Sequence, residues 1–465
     1  MTPITRLTNT PYDELTVGLS ASLEKRLTME DIRLFAVMTG DVNPVSLDAQ
    51  FAKSSRFHDI VAHGMWGGAL VSTVLGTVLP GAGTLYVSQS LDFLKPVRIG
   101  DSLTVTVTVK EKRPDDQVVF ACEVWNQAGE AVLSGEAVVI APSEKIESEV
   151  VELPDVFLNE RQQITELLKR TEAYRPLKVA VVHPCDEVSL GGALTARARG
   201  LIEPILIGPE GKIRAVAEDC GFDLTGVTID PVAHSHAACQ RAVVLCQQDT
   251  VESVMKGSLH TDELMAALLS RSSGLRTERR VSHVFVFDVP TYPRPLLITD
   301  AAINISPDLL AKRDIVQNAI ELAHALRIQE PKVAILSAVE TVTSTIPSTL
   351  DAAALCTMAR RGQITGAVLD GPLAFDNAVS EAAAQIKGIE SPVAGRADIL
   401  VTPDLESGNM LAKQLEYLAH GEGSGIVLGL RLPVILTSRA DDAMSRLASC
   451  ALAVILHAHR QGEAV

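Results

Sequence analysis

A chain of 465 residues exceeds one ordinary core, so two or three domains are expected. Hydrophobic residues make up 47% and charged residues 21%, a globular composition, while aromatics at only 4% leave the cores to Ala, Val, Leu and Ile. The formal net charge of −16 argues against a general nucleic-acid binder, though not against a local arginine cluster for anionic substrates.

The opening stretch, MTPITRLTNTPYDELTVG, has no apolar signal core. A first helix is expected from Thr28, a capping residue, with Glu30 and Asp31 in its first turn and Gly40 at its end. Asp41-Val42-Asn43-Pro44 reads as a turn. Residues 60–79, IVAHGMWGGALVSTVLGTVL, are about long enough to span a bilayer. They carry His63, Ser72, Thr73 and Thr77 and no flanking Lys or Arg, so a buried helix of a soluble domain is expected. Strands follow at 85–93, 102–109 (SLTVTVTV), 117–125 and 131–140, with a hairpin turn at 126–129. One apolar helix and a strand meander make an α+β domain, with the sheet wrapped around the helix.

Residues 142–154, PSEKIESEVVELP, are acidic, proline-bounded and without sustained periodicity, and read as a linker. This sets a first domain at 1–141 and a second region at 155–465. Short apolar runs at 177–182, 205–207, 281–287, 295–298, 333–336, 366–369, 399–401 and 434–436 alternate there with helical stretches. The expectation is an α/β fold with a largely parallel sheet, in two lobes around a cleft. Seven scattered cysteines without a C-x-x-C pair suit reduced thiols and a cytoplasmic protein. The histidines show no metal-ligand spacing, and Gly191-Gly192 is too little for a dinucleotide loop.

Four segments of the second region carry a pattern: MKGSLHTDELMAALL with GLRTERR (255–269, 274–280), ITDAAINIS (298–306), ADILVTPDLESGNM (397–410) and LPVILTSRADD (432–442). Together they resemble the phosphate acetyl/butyryl transferase family, the first looking like its butyryltransferase branch. The resemblance implies a two-lobed architecture like that of isocitrate and isopropylmalate dehydrogenases. It also implies acyl transfer between coenzyme A and phosphate, with no permanently bound cofactor and no metal. By the same resemblance, Ser438 would stabilise the departing thiolate and Arg439 would hold a phosphate or carbonyl oxygen. Ser445 stands where the acetyltransferases carry an Asp, which leaves Asp441 as the candidate base. Met265 lies near a position where they carry an Arg. Arg271, Arg276, Arg279 and Arg280 cluster, and Arg276 and Arg279 are the candidates for coenzyme A or phosphate contacts.

FAVMTGDVNPVSLDAQFA (35–52), IVAHGM (60–65), YVSQSLDF (86–93) and PVRIGD (96–101) resemble the MaoC-like (R)-specific enoyl-CoA hydratases, a hot-dog fold. That family pairs an Asp with a His five residues later to steer one water. Asp41, Asn43 and Pro44 match, but Ser46 stands at the His position. Asp41 is the candidate catalytic carboxylate, with Asn43, Ser46, His63 and Gly64 lining the acyl-CoA site. Serine does not titrate near neutral pH, so hydration should be impaired. His58 is an extra imidazole nearby. The expected protein is a bifunctional-type acyl-CoA enzyme, a homo-oligomer by resemblance. The competing readings are non-catalytic acyl-CoA sensor modules, or a metal-dependent dehydrogenase, for which no carboxylate cluster is evident.

Overall fold

The structure is a computed structural model that describes residues 6–149, 151, 153–154, 156, 158, 162–437 and 442–463. The chain divides into two compact units, Met1–Leu158 and Asn159–Val465.

The first unit is a five-stranded antiparallel sheet in the order Ser20–Arg26, Ser102–Lys112, Gln117–Asn126, Ala131–Ile140, Leu85–Phe93. The alternation in 102–109 works as expected. Leu103, Val105, Val107 and Val109 are buried, with intermediate or exposed residues between them. They pack with Trp66, Val71, Val74 and Leu75 of the helix Gly64–Thr77. That helix has 14 residues, and no helix among the described residues is long and apolar enough to cross a membrane. It is buried on one side only: Met65, Ala69, Ser72 and Thr73 are exposed. Gly135 is required where the strands meet, since a Cβ there would lie 2.0 Å from the Ser90 carbonyl oxygen. The helix Met29–Thr39 carries a full capping box between Thr28 and Asp31, and Gly40 ends it with φ 75°.

Part of the segment expected to be a linker is ordered strand. Glu147–Glu149 pairs antiparallel with Arg6–Thr8. Asn9 pins the approach: its Nδ2 donates to the Glu144 carbonyl and its Oδ1 accepts from Ile146 N–H, each at 2.7 Å. Side-chain amides of this kind leave no periodicity in a sequence.

Among its described residues the second unit contains one sheet of 11 strands. A parallel block runs Thr228–Pro231, Ile202–Gly208, Leu177–Val182, Ser253–Lys256, Val434–Ile435. Three antiparallel pairings follow, through Glu422–Leu428 and Ser282–Asp288 to Leu296–Thr299. A second parallel block continues from there with Ile399–Val401, Lys332–Leu336 and Val368–Leu373. An odd number of reversals separates the blocks, so their strands run in opposite directions. One core (Val182, Ala242, Val254, Leu264) lies with the first block and another (Ile298, Ala334, Leu400, Ala412) with the second. The helix Ala443–Gln461 is buried on nearly every side and contributes to a third core that draws on both blocks.

Candidate functional site

The reversal decides where chemistry can gather. Strands of the first block end at Val182, Gly208, Lys256 and Ile435 on one rim of the sheet, whereas Thr299, Leu336 and Val401 end on the opposite rim. On the first rim Met255 pairs with Ile435 and Lys256 with Val182. The MKG segment therefore ends beside the strand that leads through Thr437 into Ser438-Arg439.

Several close fits build this rim. A Cβ on Gly257 would lie 2.4 Å from the Val182 carbonyl oxygen and 2.7 Å from that of His183, so only glycine passes there. His183, at φ 55°, donates from Nδ1 to the Ser258 carbonyl at 2.9 Å. Asp186 caps the helix Glu187–Ala198, accepting from Ser189 N–H at 2.7 Å. Burial alone would raise the Asp186 carboxyl. Hydrogen bonds from Ser189 and Ser258 and the nearby Arg446 charge outweigh burial and hold it below the usual carboxylate range. Lys256 and Arg446 are 8% and 4% exposed, both rare for cations. Lys256 Nζ lies 3.4 Å from the Leu259 carbonyl oxygen, and Arg446 Nη1 donates to Thr437 Oγ1 at 2.9 Å. Asp186, Ser189, Lys256, Gly257, Thr437 and Arg446 line a small notch of about 10 Å³.

Ser438, Arg439 and Asp441 lie outside the described residues. The described chain stops at Thr437 and resumes at Asp442, which caps Ala443–Gln461 by accepting from Ser445 N–H at 2.7 Å. Ser445, at the position expected for an Asp, is buried in the first turn.

The arginine cluster stands on the other rim. Ser282 pairs with Leu428, and Val427 with Val434, which puts 276–282 beside the start of Val434–Ile435 rather than its end. Arg276 is exposed and bridges Leu430 through its backbone. Arg279 Nη1 donates to Glu321 Oε2 at 2.8 Å. Arg280 Nε donates to Asn304 Oδ1 at 2.7 Å, and Asn304 Nδ2 to the buried Asp300 at 2.6 Å. Burial raises the Asp300 carboxyl, against the opposing bonds from Ala302, Asn304 and Ile303. GLRTERR and ITDAAINIS thus meet each other, but the strand directions hold them away from Lys256 and Thr437. Among the described residues no three His, Cys, Asp or Glu are grouped to hold a metal. His234 caps the helix Ser235–Gln247.

The first unit has a pocket of about 310 Å³ lined by Phe57, Val61, His63, Gly64, Trp66 and Phe93 among others. His63 is buried and its Nε2 donates to the Asp41 carbonyl at 2.9 Å, while its Nδ1 has no hydrogen-bond partner among the described residues. Asp41 itself is exposed, and its carboxylate accepts from Asn43 N–H at 3.2 Å. Asn43 caps Pro44–Leu47, the short helix that buries Ser46. The pocket therefore takes His63 and Gly64 but not Asp41, Asn43 or Ser46. His58 is exposed, 3.3 Å from the Lys53 carbonyl oxygen, and lies off the pocket lining.

Sequence reasoning missed Asp186, Lys256 and Arg446. Lys256 sat inside a quoted segment at the end of an apolar run, and Arg446 inside the alanine-rich AMSRLASCALA. Only the burial of both cations marks them out.

Residues 233–454 match the family described as phosphate acetyl/butaryl transferase, and residues 15–125 match the MaoC like domain. The chain is 60% identical to the phosphate acetyltransferase of Rhizobium meliloti over 299 residues, 64% of this chain and 95% of that protein. It is 40% identical to the phosphate butyryltransferase of Clostridium acetobutylicum over 295 residues, 63% of this chain and 98% of that protein. The crystal structure of a branched-chain phosphotransacylase from Enterococcus faecalis V583 superposes with a TM-score of 0.54 at 28% identity, covering 60% of this chain and 99% of that one.

Proposed function

Because the chain belongs to the phosphate acetyl/butyryl transferase family, we propose a division of labour between its two units. The second unit is a phosphate acyltransferase. A phosphate oxygen attacks the thioester carbonyl carbon, the C–S bond breaks, and the phosphate proton passes to the departing coenzyme A thiolate, giving acyl phosphate and free thiol. Sixty per cent identity over 95% of a phosphate acetyltransferase carries this reading, and the side-by-side strand ends at Lys256 and Ile435 support it. Ser438 would stabilise the thiolate, Arg439 would hold phosphate or carbonyl oxygen, and Asp441 would steer the proton. Arg276 and Arg279, on the opposite rim, would serve the distal phosphates of coenzyme A rather than the reacting phosphate. The two opposed blocks suit a two-lobed arrangement of the isocitrate/isopropylmalate dehydrogenase kind. No permanently bound cofactor is needed for this chemistry.

Arg439→Ala tests the assignment. Loss of a preorganised cation should lower the rate by roughly 10²–10³-fold with the circular dichroism spectrum unchanged. Full activity in that variant would remove Arg439 from the mechanism.

The first unit binds acyl-CoA in the pocket beside His63 and is impaired as a hydratase, since Ser46 replaces the dyad imidazole. A binding or sensing role is favoured here by that one residue. A homo-oligomer is the arrangement supported by the edge strand Leu85–Phe93, where Leu85, Tyr86, Val87 and Phe93 are all exposed. Seven free cysteines support a cytoplasmic setting.

A further inference from the structure

The strands Ser253–Lys256 and Val434–Ile435 begin on the rim opposite the notch, and a cavity of about 330 Å³ lies beside their starts. That volume is in the range of small-molecule sites, which combine apolar walls with a few placed polar groups. Val251, Leu275, Leu432 and Pro433 supply the apolar lining, and Arg431, His457 and Arg460 supply the basic groups. Asp249 and Glu252 are its two carboxylates. Glu252 is already committed: both Nη atoms of Arg175 and the Lys178 N–H donate to it, and these bonds hold its pKa down to about 2. The Asp249 side chain is 80% exposed and takes Arg431 Nη2 at 3.2 Å, an exposed pair of the kind that opens at small cost. Arg460 Nε donates to Glu321 at 2.7 Å, and Glu321 also takes Arg279 at 2.8 Å, so one carboxylate serves two guanidiniums. Glu463 adds negative charge near His457. Arg460 Nη1 reaches the Leu430 carbonyl only at 3.4 Å. Among the described residues, Arg431 Nε and Nη1 and Arg460 Nη2 have no acceptor. The capacity left over in the lining is therefore mainly donors, on planar forks that suit an anion with several oxygens.

We propose that this cavity binds a phosphate monoester with a short carbon body. The phosphate oxygens accept from Arg431 and Arg460, displacing Asp249, and the carbon body lies against Val251, Leu432 and Pro433. Two sources carry this chemistry. One is a free phosphorylated metabolite, and the other is the 3′-phosphate of coenzyme A, whose distal phosphates would meet Arg276 and Arg279 on this same rim. The site stands apart from the Lys256 rim, so the inference goes beyond the acyltransferase reading, and binding is measured without turnover.

Calorimetric titration of the full chain tests the proposal with two probes, glycerol 3-phosphate and adenosine 3′,5′-bisphosphate. Arg431→Gln removes one charge-assisted contact and should weaken binding of the probe that occupies the cavity roughly 10–100-fold. Asp249→Asn removes the competing carboxylate and should tighten binding by up to about fivefold. Asparagine suits the left-handed backbone at that position, φ 51°, so this variant keeps the fold. Glycerol 3-phosphate binding that follows both shifts assigns a free ester to the cavity. If adenosine 3′,5′-bisphosphate alone follows them, the occupant is the nucleotide end of coenzyme A. If neither probe binds, or none that binds responds to the two substitutions, the proposal is overturned. Should Arg431→Gln fail to fold, Asp249→Asn is read alone, and unchanged affinity in it overturns the proposal. A wild type that forms no acyl phosphate contradicts the acyltransferase reading and leaves these titrations intact.

Discussion

Single residues decide how much chemistry each unit retains. In the first unit Asp41 and the buried Ser46 stand where the MaoC-like resemblance implies an Asp–His pair, and general acid–base catalysis is worth about 10²–10⁴-fold. The wild type should therefore hydrate crotonyl-CoA at least about 10²-fold more slowly than Ser46→His, followed by loss of the enoyl thioester absorbance. Turnover that equals the variant and collapses in His63→Gln would show instead that the unpartnered Nδ1 of His63 has taken over. In the second unit His283 is fully enclosed, its ring 4.3 Å from that of Phe285, and burial pushes its pKa down to about 3. Above the ordinary value of 6.5 it is neutral in both folded and unfolded chains. Below that value the unfolded chain binds the extra proton, so stability falls as pH drops from 6.5 toward 3. Denaturant melts across that window should be steeper in pH for wild type than for His283→Phe. Equal slopes would mean that other groups set the acid limit. The Ser46 departure was legible in the sequence because a motif surrounds it. The enclosure of His283 was not, since nothing in SHVFVFD says which face is covered.

Elements were read where periodicity exists and missed where neighbours dictate them. The strand Leu85–Phe93 and the helix cap at Thr28 follow directly from local chemistry. Thr28→Ala should destabilise the first unit by about 1 kcal/mol in chemical denaturation, through loss of the capping box. No change would mean that packing alone holds Met29–Thr39. The strand Glu422–Leu428, EGSGIVL, is not among the runs expected as strands, yet it forms seven register pairs with Ser282–Asp288. Its glycines are there for room: a Cβ on Gly423 would lie 2.7 Å from the Phe287 ring and one on Gly425 2.5 Å from His283 Nε2. Ser20–Arg26 was missed for the opposite reason, being an edge strand whose residues are mostly exposed and polar. At the other edge, Val87→Lys should lower the oligomeric state in analytical ultracentrifugation while leaving acyl transfer intact. An unchanged sedimentation coefficient would remove this edge from any assembly.

At the scale of the whole chain, a unit that matches the MaoC like domain and a unit of the phosphate acetyl/butyryl transferase family are joined in one polypeptide. Each has its own core, so residues 1–158 and 159–465 should each express as soluble, folded pieces with cooperative melts. Aggregation of both pieces would mean that the units depend on each other. Composition and motif order made this two-part plan visible from sequence. The counter-running blocks of the larger sheet were not visible, because a register reversal leaves no mark on hydrophobic runs, and with them went the separation of the arginine cluster from the Lys256 rim. The central claim is that the larger unit moves acyl groups between coenzyme A and phosphate. Its most direct test is formation of acyl phosphate and free thiol by the purified full chain, given acetyl-CoA or butyryl-CoA and inorganic phosphate in the presence of a chelator. The account predicts stoichiometric thiol and acyl phosphate that vanish when phosphate is omitted. Thiol release that is independent of phosphate, or none with any short acyl-CoA, would contradict it.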